Sequence, residues 1–123
     1  MKKIVLIEDE SLTVKILEFL LKKEGYDISV AKDGNQGMEL YKATRPELVI
    51  TDIMLPFKSG LEITAYIKEH DPNTPVIILS ALGSEKQTLE SSKRIGADAI
   101  IAKPFSKSEV LDKVHFFTQN ARA

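Results

Sequence analysis

The sequence predicts an α/β fold: one open, five-stranded parallel sheet, doubly wound with five helices. Three observations carry this. Five short runs rich in β-branched residues recur along the chain, stretches of helical length separate them, and Gly, Pro and Ser stand at the joints. Strands buried on both faces read as continuous apolar runs, which is the signature of a parallel sheet covered by helices.

The first run, KIVLI at residues 3–7, stops in Glu8, Asp9 and Glu10. A helix over 11–24 comes next, with Ser11 placed to cap it and Gly25 supplying the left-handed residue that ends it. The second run is DISVA, closed by KDGN, which reads as turn chemistry. A helix over 35–45 then stops at Pro46, and the third run, ELVIT, leads straight into Asp52. The helix over 60–70 is ended before Pro72, and PVIILS comes after it, finishing in Ser80. The fourth helix, roughly 84–95, has only Leu89 and Ile95 as apolar anchors and is expected to pack loosely before Gly96 stops it. DAIIA runs into Lys103 and Pro104. Ser106 to Glu109, SKSE, then forms a capping-box pattern that opens a last helix over 106–119, whose Val110, Leu111, Val114 and Phe117 make a core-facing stripe.

At 123 residues the chain reads as one domain, 1–123, able to bury about two thirds of its unfolded surface. Seventeen basic and eighteen acidic side chains leave a net charge of -1, so no global field draws it to nucleic acid or to a membrane. Cysteine is absent, which excludes disulfides and thiolate metal sites and suits a reducing compartment. Lys2 and Lys3 before IVLI are too little for a signal peptide, and no apolar run approaches the ~20 residues of a membrane helix. The expected location is the cytoplasm.

Ligands of open parallel sheets sit beyond the carboxyl ends of the strands. There stand Glu8 and Asp9, Asp52, Ser80, and Lys103 followed by Pro104. Singly, each is more often a turn former, a helix cap or a solvated side chain than a functional group. Their conjunction on four of five strand ends points to a site. Carboxylates ~4 Å apart repel by about 4 kcal/mol per pair at an effective dielectric near 20, so something positive must join them. Hard oxygen ligands suit Mg²⁺, whereas zinc would want His or Cys, and His70 and His115 both fall on helices. A carboxylate beside Mg²⁺ can take a phosphoryl group as an acyl phosphate, with the Ser80 hydroxyl and the Lys103 ammonium matching the spread charge.

IVLIEDE, PELVITDIMLP, PVIILSA and GADAIIAKPF together resemble the receiver domain of two-component response regulators, over nearly the whole chain. The resemblance implies the flavodoxin-like strand order 2-1-3-4-5. It also implies that Asp52 is the phosphoacceptor, that Glu8, Asp9 and Asp52 hold Mg²⁺ with the Met54 backbone carbonyl, and that Ser80 and Lys103 follow the phosphoryl group. The Lys103–Pro104 bond is expected to be cis. Ser80, Ile100, Lys103 and Pro104 form the implied switch, with Ile100 standing where the family often has Tyr or Phe. Met54 and Leu82 occupy positions that flank the path of attacking water, which implies slow loss of the phosphoryl group. The donor implied is the phosphohistidine of a sensor histidine kinase or phosphotransfer protein, or a small phosphodonor. An output domain outside this chain, and a monomer or weak dimer, are compatible with the resemblance. Such a protein catalyses only its own phosphorylation and dephosphorylation and is not otherwise an enzyme.

Phe57, in the loop FKSG, is expected either to contact a kinase or phosphatase or to tuck against the third helix. Other classes remain beside this reading. A Mg²⁺-dependent phosphohydrolase with an aspartyl nucleophile would want DxDx(T/V) after the first strand, where EDES stands. A flavin-binding relative would want a hydroxyl-rich loop there. A degenerate receiver would only dock partners.

Overall fold

The computed structural model describes residues 2–81 and 86–120. Among them, strands and helices alternate: β1 (Lys3–Ile7), α1 (Ser11–Lys23), β2 (Asp27–Ala31), α2 (Gly34–Thr44), β3 (Leu48–Asp52), α3 (Gly60–His70), β4 (Val76–Ser80), α4 (Lys86–Arg94), β5 (Ala99–Ala102) and α5 (Lys107–Asn120). All pairings are parallel and the order is β2-β1-β3-β4-β5, as the resemblance implies. No helix among the described residues is long and apolar enough to cross a membrane.

Alternation along β1 divides the core. Ile4 and Leu6 pack with Leu17 and Leu21 of α1 and with Val110 and Val114 of α5. Val5 and Ile7 point the other way, against Tyr41 of α2 and against Ile63 and Ile67 of α3. β1, β3 and β4 occupy the middle of the sheet and are buried on both faces, so their sequences carry no polar alternation. The acids stand just beyond the carboxyl ends of β1 and β3.

The joints differ from expectation at two places. Ser11 does not cap α1; it is the first helical residue, and Glu10 holds the cap position without a side-chain bond to the backbone. The Glu10 carboxylate instead accepts from the Thr13 hydroxyl. At α2 the turn residue Asp33 is the cap, accepting from the Gln36 N–H at 2.7 Å. The other stops hold: Gly25 and Gly96 are left-handed, at φ 91° and 96°, and the Ser106 hydroxyl accepts from the Glu109 N–H at 3.1 Å. Leu89 and Ile95 at α4 stay half-buried, in keeping with its sparse anchors.

The loop after β3 is pinned by close backbone approaches. Gly60 donates its N–H to the Ile53 carbonyl at 2.9 Å, and a Cβ at Gly60 would lie 1.9 Å from the Asp52 carbonyl oxygen. Gly34, at the start of α2, donates to the Pro56 carbonyl at 3.0 Å, and its own Cβ would meet the Lys58 carbonyl at 1.9 Å. The backbone that carries Asp52 is therefore wedged between the starts of two helices. Gly60→Ala must displace it, so urea unfolding of this variant is expected to show a loss of about 3 kcal/mol. A loss under about 1 kcal/mol would show that the loop yields.

Candidate functional site

β1 ends by placing Glu8 and Asp9 side by side, β3 ends in Asp52, and β5 is followed by Lys103. One carboxylate oxygen from each of Glu8, Asp9 and Asp52 lies within 4.8 Å of the other two. The expected convergence of acids is thus present in space. Their burial is graded: Glu8 is fully buried, Asp52 is partly buried and Asp9 is exposed.

Lys103 supplies the opposing charge. Its Nζ lies 2.7 Å from Glu8 Oε1 and 3.2 Å from Asp52 Oδ2, bridging two strand ends. The second oxygen of Glu8 accepts the Glu10 N–H at 3.2 Å, and Asp52 Oδ1 accepts the Ile53 N–H at 2.8 Å. These bonds hold both carboxylates in place, because each oxygen so engaged loses its freedom to rotate.

Burial raises the Glu8 carboxyl above its usual value of 4.5, since desolvation disfavours the charged form. The Lys103 and Glu10 bonds work against that rise, and the neighbouring Asp52 charge adds to it. For Lys103, burial works against the ammonium but is outweighed by Glu8 and Asp52, leaving it above 10.5. Each charge of the pair thus favours the ionised form of the other.

Ser80 ends β4 with only 2% of its surface exposed, and its carbonyl accepts the Lys103 N–H at 2.7 Å. The Lys103–Pro104 peptide is cis, as the resemblance implies. Ile100 stands on β5 opposite Ile78, half-buried against the α2/α3 side of the core. Met54 presents its side chain to solvent, 80% exposed. Leu82 lies outside the described residues. Phe57 does not tuck against α3; it is 81% exposed. Neither histidine joins the site. His70 stacks on Tyr66 of its own helix, and His115 bonds Tyr26 and Glu24.

Two features go beyond the expectations from sequence. Ser59 and Glu62 form a reciprocal capping box that starts α3 just beyond the loop carrying Met54. SGLE carries the signal, as it has the S-x-x-E spacing. Glu10, in sequence simply a third acid, engages Thr13 and stays outside the cluster formed by Glu8, Asp9 and Asp52.

The chain matches the family of the response regulator receiver domain over residues 4–115. It belongs to that family. Solved structures agree: the receiver domain of Francisella response regulator 1452 is 27% identical, with a TM-score of 0.89 and coverage of 99% of this chain and 100% of that one. A signal receiver domain of a histidine kinase from Syntrophus aciditrophicus is 25% identical, with a TM-score of 0.91 and coverage of 99% and 93%. A receiver domain protein from Clostridium thermocellum is 28% identical, with a TM-score of 0.83 and coverage of 98% and 94%. Receiver domains are signalling modules of two-component systems, so the acids of this receiver stand in a signalling domain and not in a classical enzyme.

Removing one partner of a buried charge pair leaves the other uncompensated. Lys103→Met is therefore expected to destabilise this receiver by about 3 kcal/mol in urea unfolding. Adding Glu8→Gln should restore part of the loss, because the stranded charge goes with it. If the double variant is less stable than Lys103→Met alone, the ion pair is not what the lysine supplies.

Proposed function

We propose that this receiver takes a phosphoryl group on Asp52 from the phosphohistidine of a sensor histidine kinase or phosphotransfer protein, or from a small acyl phosphate. The observation that carries the reading is the convergence of Glu8, Asp9 and Asp52 with Lys103 bridging two of them.

Asp52 Oδ forms a bond to phosphorus as the bond from phosphorus to the donor's nitrogen or oxygen breaks, and the donor leaves with that electron pair. The product is an acyl phosphate on Asp52. The Lys103 ammonium already lies 3.2 Å from Asp52 Oδ2, within reach of a group that replaces the carboxylate's charge. The Ser80 hydroxyl, on the neighbouring strand, is the second donor for the new oxygens. Ile53 N–H holds the other carboxylate oxygen, so that Oδ2 is the atom turned toward Lys103.

The donor set fits Mg²⁺. It consists of carboxylates without nitrogen or sulfur among the described residues, which suits a hard cation. Glu8, Asp9 and Asp52, with the Met54 carbonyl, would hold it, and when bound it neutralises the charge that gathers on the phosphoryl oxygens. The readout is carried by Ser80, Ile100, Lys103 and Pro104 at the ends of β4 and β5, where a change at the site alters the surface offered to partners.

Acetyl phosphate with Mg²⁺ should add the mass of one phosphoryl group to wild type and none to Asp52→Asn. Ser80→Ala should slow the addition by about 100-fold. Steady release of phosphate from an ester substrate would favour a phosphohydrolase instead, and an unchanged mass would favour a docking module. Mg²⁺ at about ten times its Kd should stabilise wild type by roughly 1.4 kcal/mol, a melting shift of about 5 °C, and Asp9→Asn should lose most of it. A wild type that melts alike with and without Mg²⁺ would refute the metal assignment.

A further inference from the structure

A cavity of about 590 Å³ lies between the last turns of α2 and α3, lined by Tyr41, Lys42, Arg45, Tyr66, His70 and Asp71. α2 starts against the loop that leaves Asp52 and runs back along the sheet for 11 residues, which carries its end about 16 Å away from the acids. None of the six residues belongs to the site described above. The volume is that of a small-molecule pocket and far more than a single inorganic ion would fill.

The rings of the lining are ordered. Tyr66 and His70, one turn apart on α3, stack with centroids 4.0 Å apart and planes 20° from parallel. Tyr41, buried on α2, meets Tyr66 edge-on at 6.5 Å and fixes that ring from the other helix. His70 donates from Nδ1 to the Tyr66 carbonyl at 2.9 Å, which sets its plane, and it carries the stack outward to the exposed rim.

The cations are an independent observation. Lys42 Nζ stands over the Tyr66 ring at 5.0 Å, and among the described residues neither it nor Arg45 pairs with a carboxylate. Arg45 closes α2 in a left-handed conformation, at φ 52°, which among the described non-glycine residues only Phe57 shares, at φ 72°. Gly or Asn would end the helix with less strain, and backbone strain gathers at functional positions. Asp71 is the one acid of the lining. Its carboxylate already accepts from the Thr74 hydroxyl and stands near the Tyr41 hydroxyl, which burial and the Asp71 charge push above its usual 10. Tyr41 therefore stays neutral, and two cations against one carboxylate leave the cavity positive.

Each part of this lining matches a part of one occupant. An ammonium and a guanidinium without acid partners take an anion, and the planar fork of Arg45 suits phosphate. The Tyr66–His70 stack takes a planar ring, and the remaining lone pairs of Asp71 take a hydroxyl or amino group. We propose that the cavity binds a mononucleotide, with its phosphate on Lys42 and Arg45 and its base against His70 and Tyr66. The proposal is independent of the phosphoacceptor reading, since it uses neither Asp52 nor Mg²⁺.

The test is an amide NMR titration of the unphosphorylated full chain without Mg²⁺. AMP and GMP are the probes, and ribose phosphate and adenosine are the comparisons. At least one nucleotide should saturate with its largest shifts at residues 41–45 and 66–71, and ribose phosphate and adenosine should bind about tenfold more weakly or worse. Arg45→Gly keeps the left-handed helix end and removes the cation, so it should melt no lower than wild type yet bind that nucleotide about tenfold more weakly. Lys42→Ala should weaken binding similarly, while Lys107→Ala, at an exposed position on α5, should not. Nucleotide binding unchanged in both Arg45→Gly and Lys42→Ala would overturn the proposal, as would shifts gathered at Glu8, Asp9 and Asp52. Ribose phosphate binding as tightly as the nucleotide would remove the base from the stack and overturn it too, and so would the lack of saturation by either nucleotide up to about 5 mM.

Discussion

The site depends on a conflict between like charges that the sheet forces together. Parallel strands β1 and β3 run side by side, and each finishes in an acid, so Glu8, Asp9 and Asp52 have no means of separating. At such spacing each close pair costs about 4 kcal/mol in a partly shielded environment. Lys103 is the answer the chain itself supplies, and it arrives from β5, separated by β4 from the strand that carries Asp52. Because Glu8 is fully buried, this ion pair is not a decoration of the surface. Its attraction works against the desolvation of both partners, and the Glu10 N–H bond on the second Glu8 oxygen acts in the same direction.

Holding repelling groups in place requires a stiff frame, and the glycines show how it is made. At Gly60 and Gly34 the backbone of the β3–α3 loop lies against neighbouring chain so closely that no Cβ fits. Asp52 is thereby fixed from behind, while the Ile53 N–H fixes one oxygen in front. The same rigidity throws Phe57 into a left-handed turn. Precision at the acid and strain at the aromatic are two consequences of one tight loop, since residues held by their surroundings can be kept in conformations they would not choose.

Much of this is legible in the sequence because the fold uses its simplest signals. Apolar runs without alternation mark KIVLI and PVIILS as doubly covered strands, and the residues just past the carboxyl end of a strand in such a sheet must face the ligand side. That rule alone brings Glu8, Asp9, Asp52, Ser80 and Lys103 together. It cannot rank their burial. Nothing in EDE says that the first acid is sealed from water, the second exposed and the third turned to Thr13, because that depends on where α1 begins relative to the strand end. Ser11 fails as a cap for the same reason: a Ser before an apolar periodicity is a sound signal, yet the chain leaves β1 already committed to helix at that residue. The left-handed Phe57 is invisible in sequence, since phenylalanine is the wrong residue for such a turn and only the pinned loop dictates it.

Under the proposed phosphoacceptor role, the electrostatics of Lys103 also explain why a change at Asp52 need not stay local. A phosphoryl group replaces a single negative charge with roughly two, so the balance of attraction on the ammonium moves from Glu8 toward the new group. Any shift of the Lys103 backbone also reaches β4, because its N–H is bonded to the Ser80 carbonyl at 2.7 Å and ties the end of β5 to the end of β4. Ser80 is itself drawn to the same oxygens. Both strand ends are thus pulled toward one point. β5 is the edge of the sheet, half-buried over Ala99 and Ile100, and yields more readily than the sealed strands beside it. Ile100 lies on the same strand as the segment that is pulled and packs on the α2/α3 side, so a displacement of β5 is felt there as a change in aliphatic packing and not as the turning of an aromatic ring.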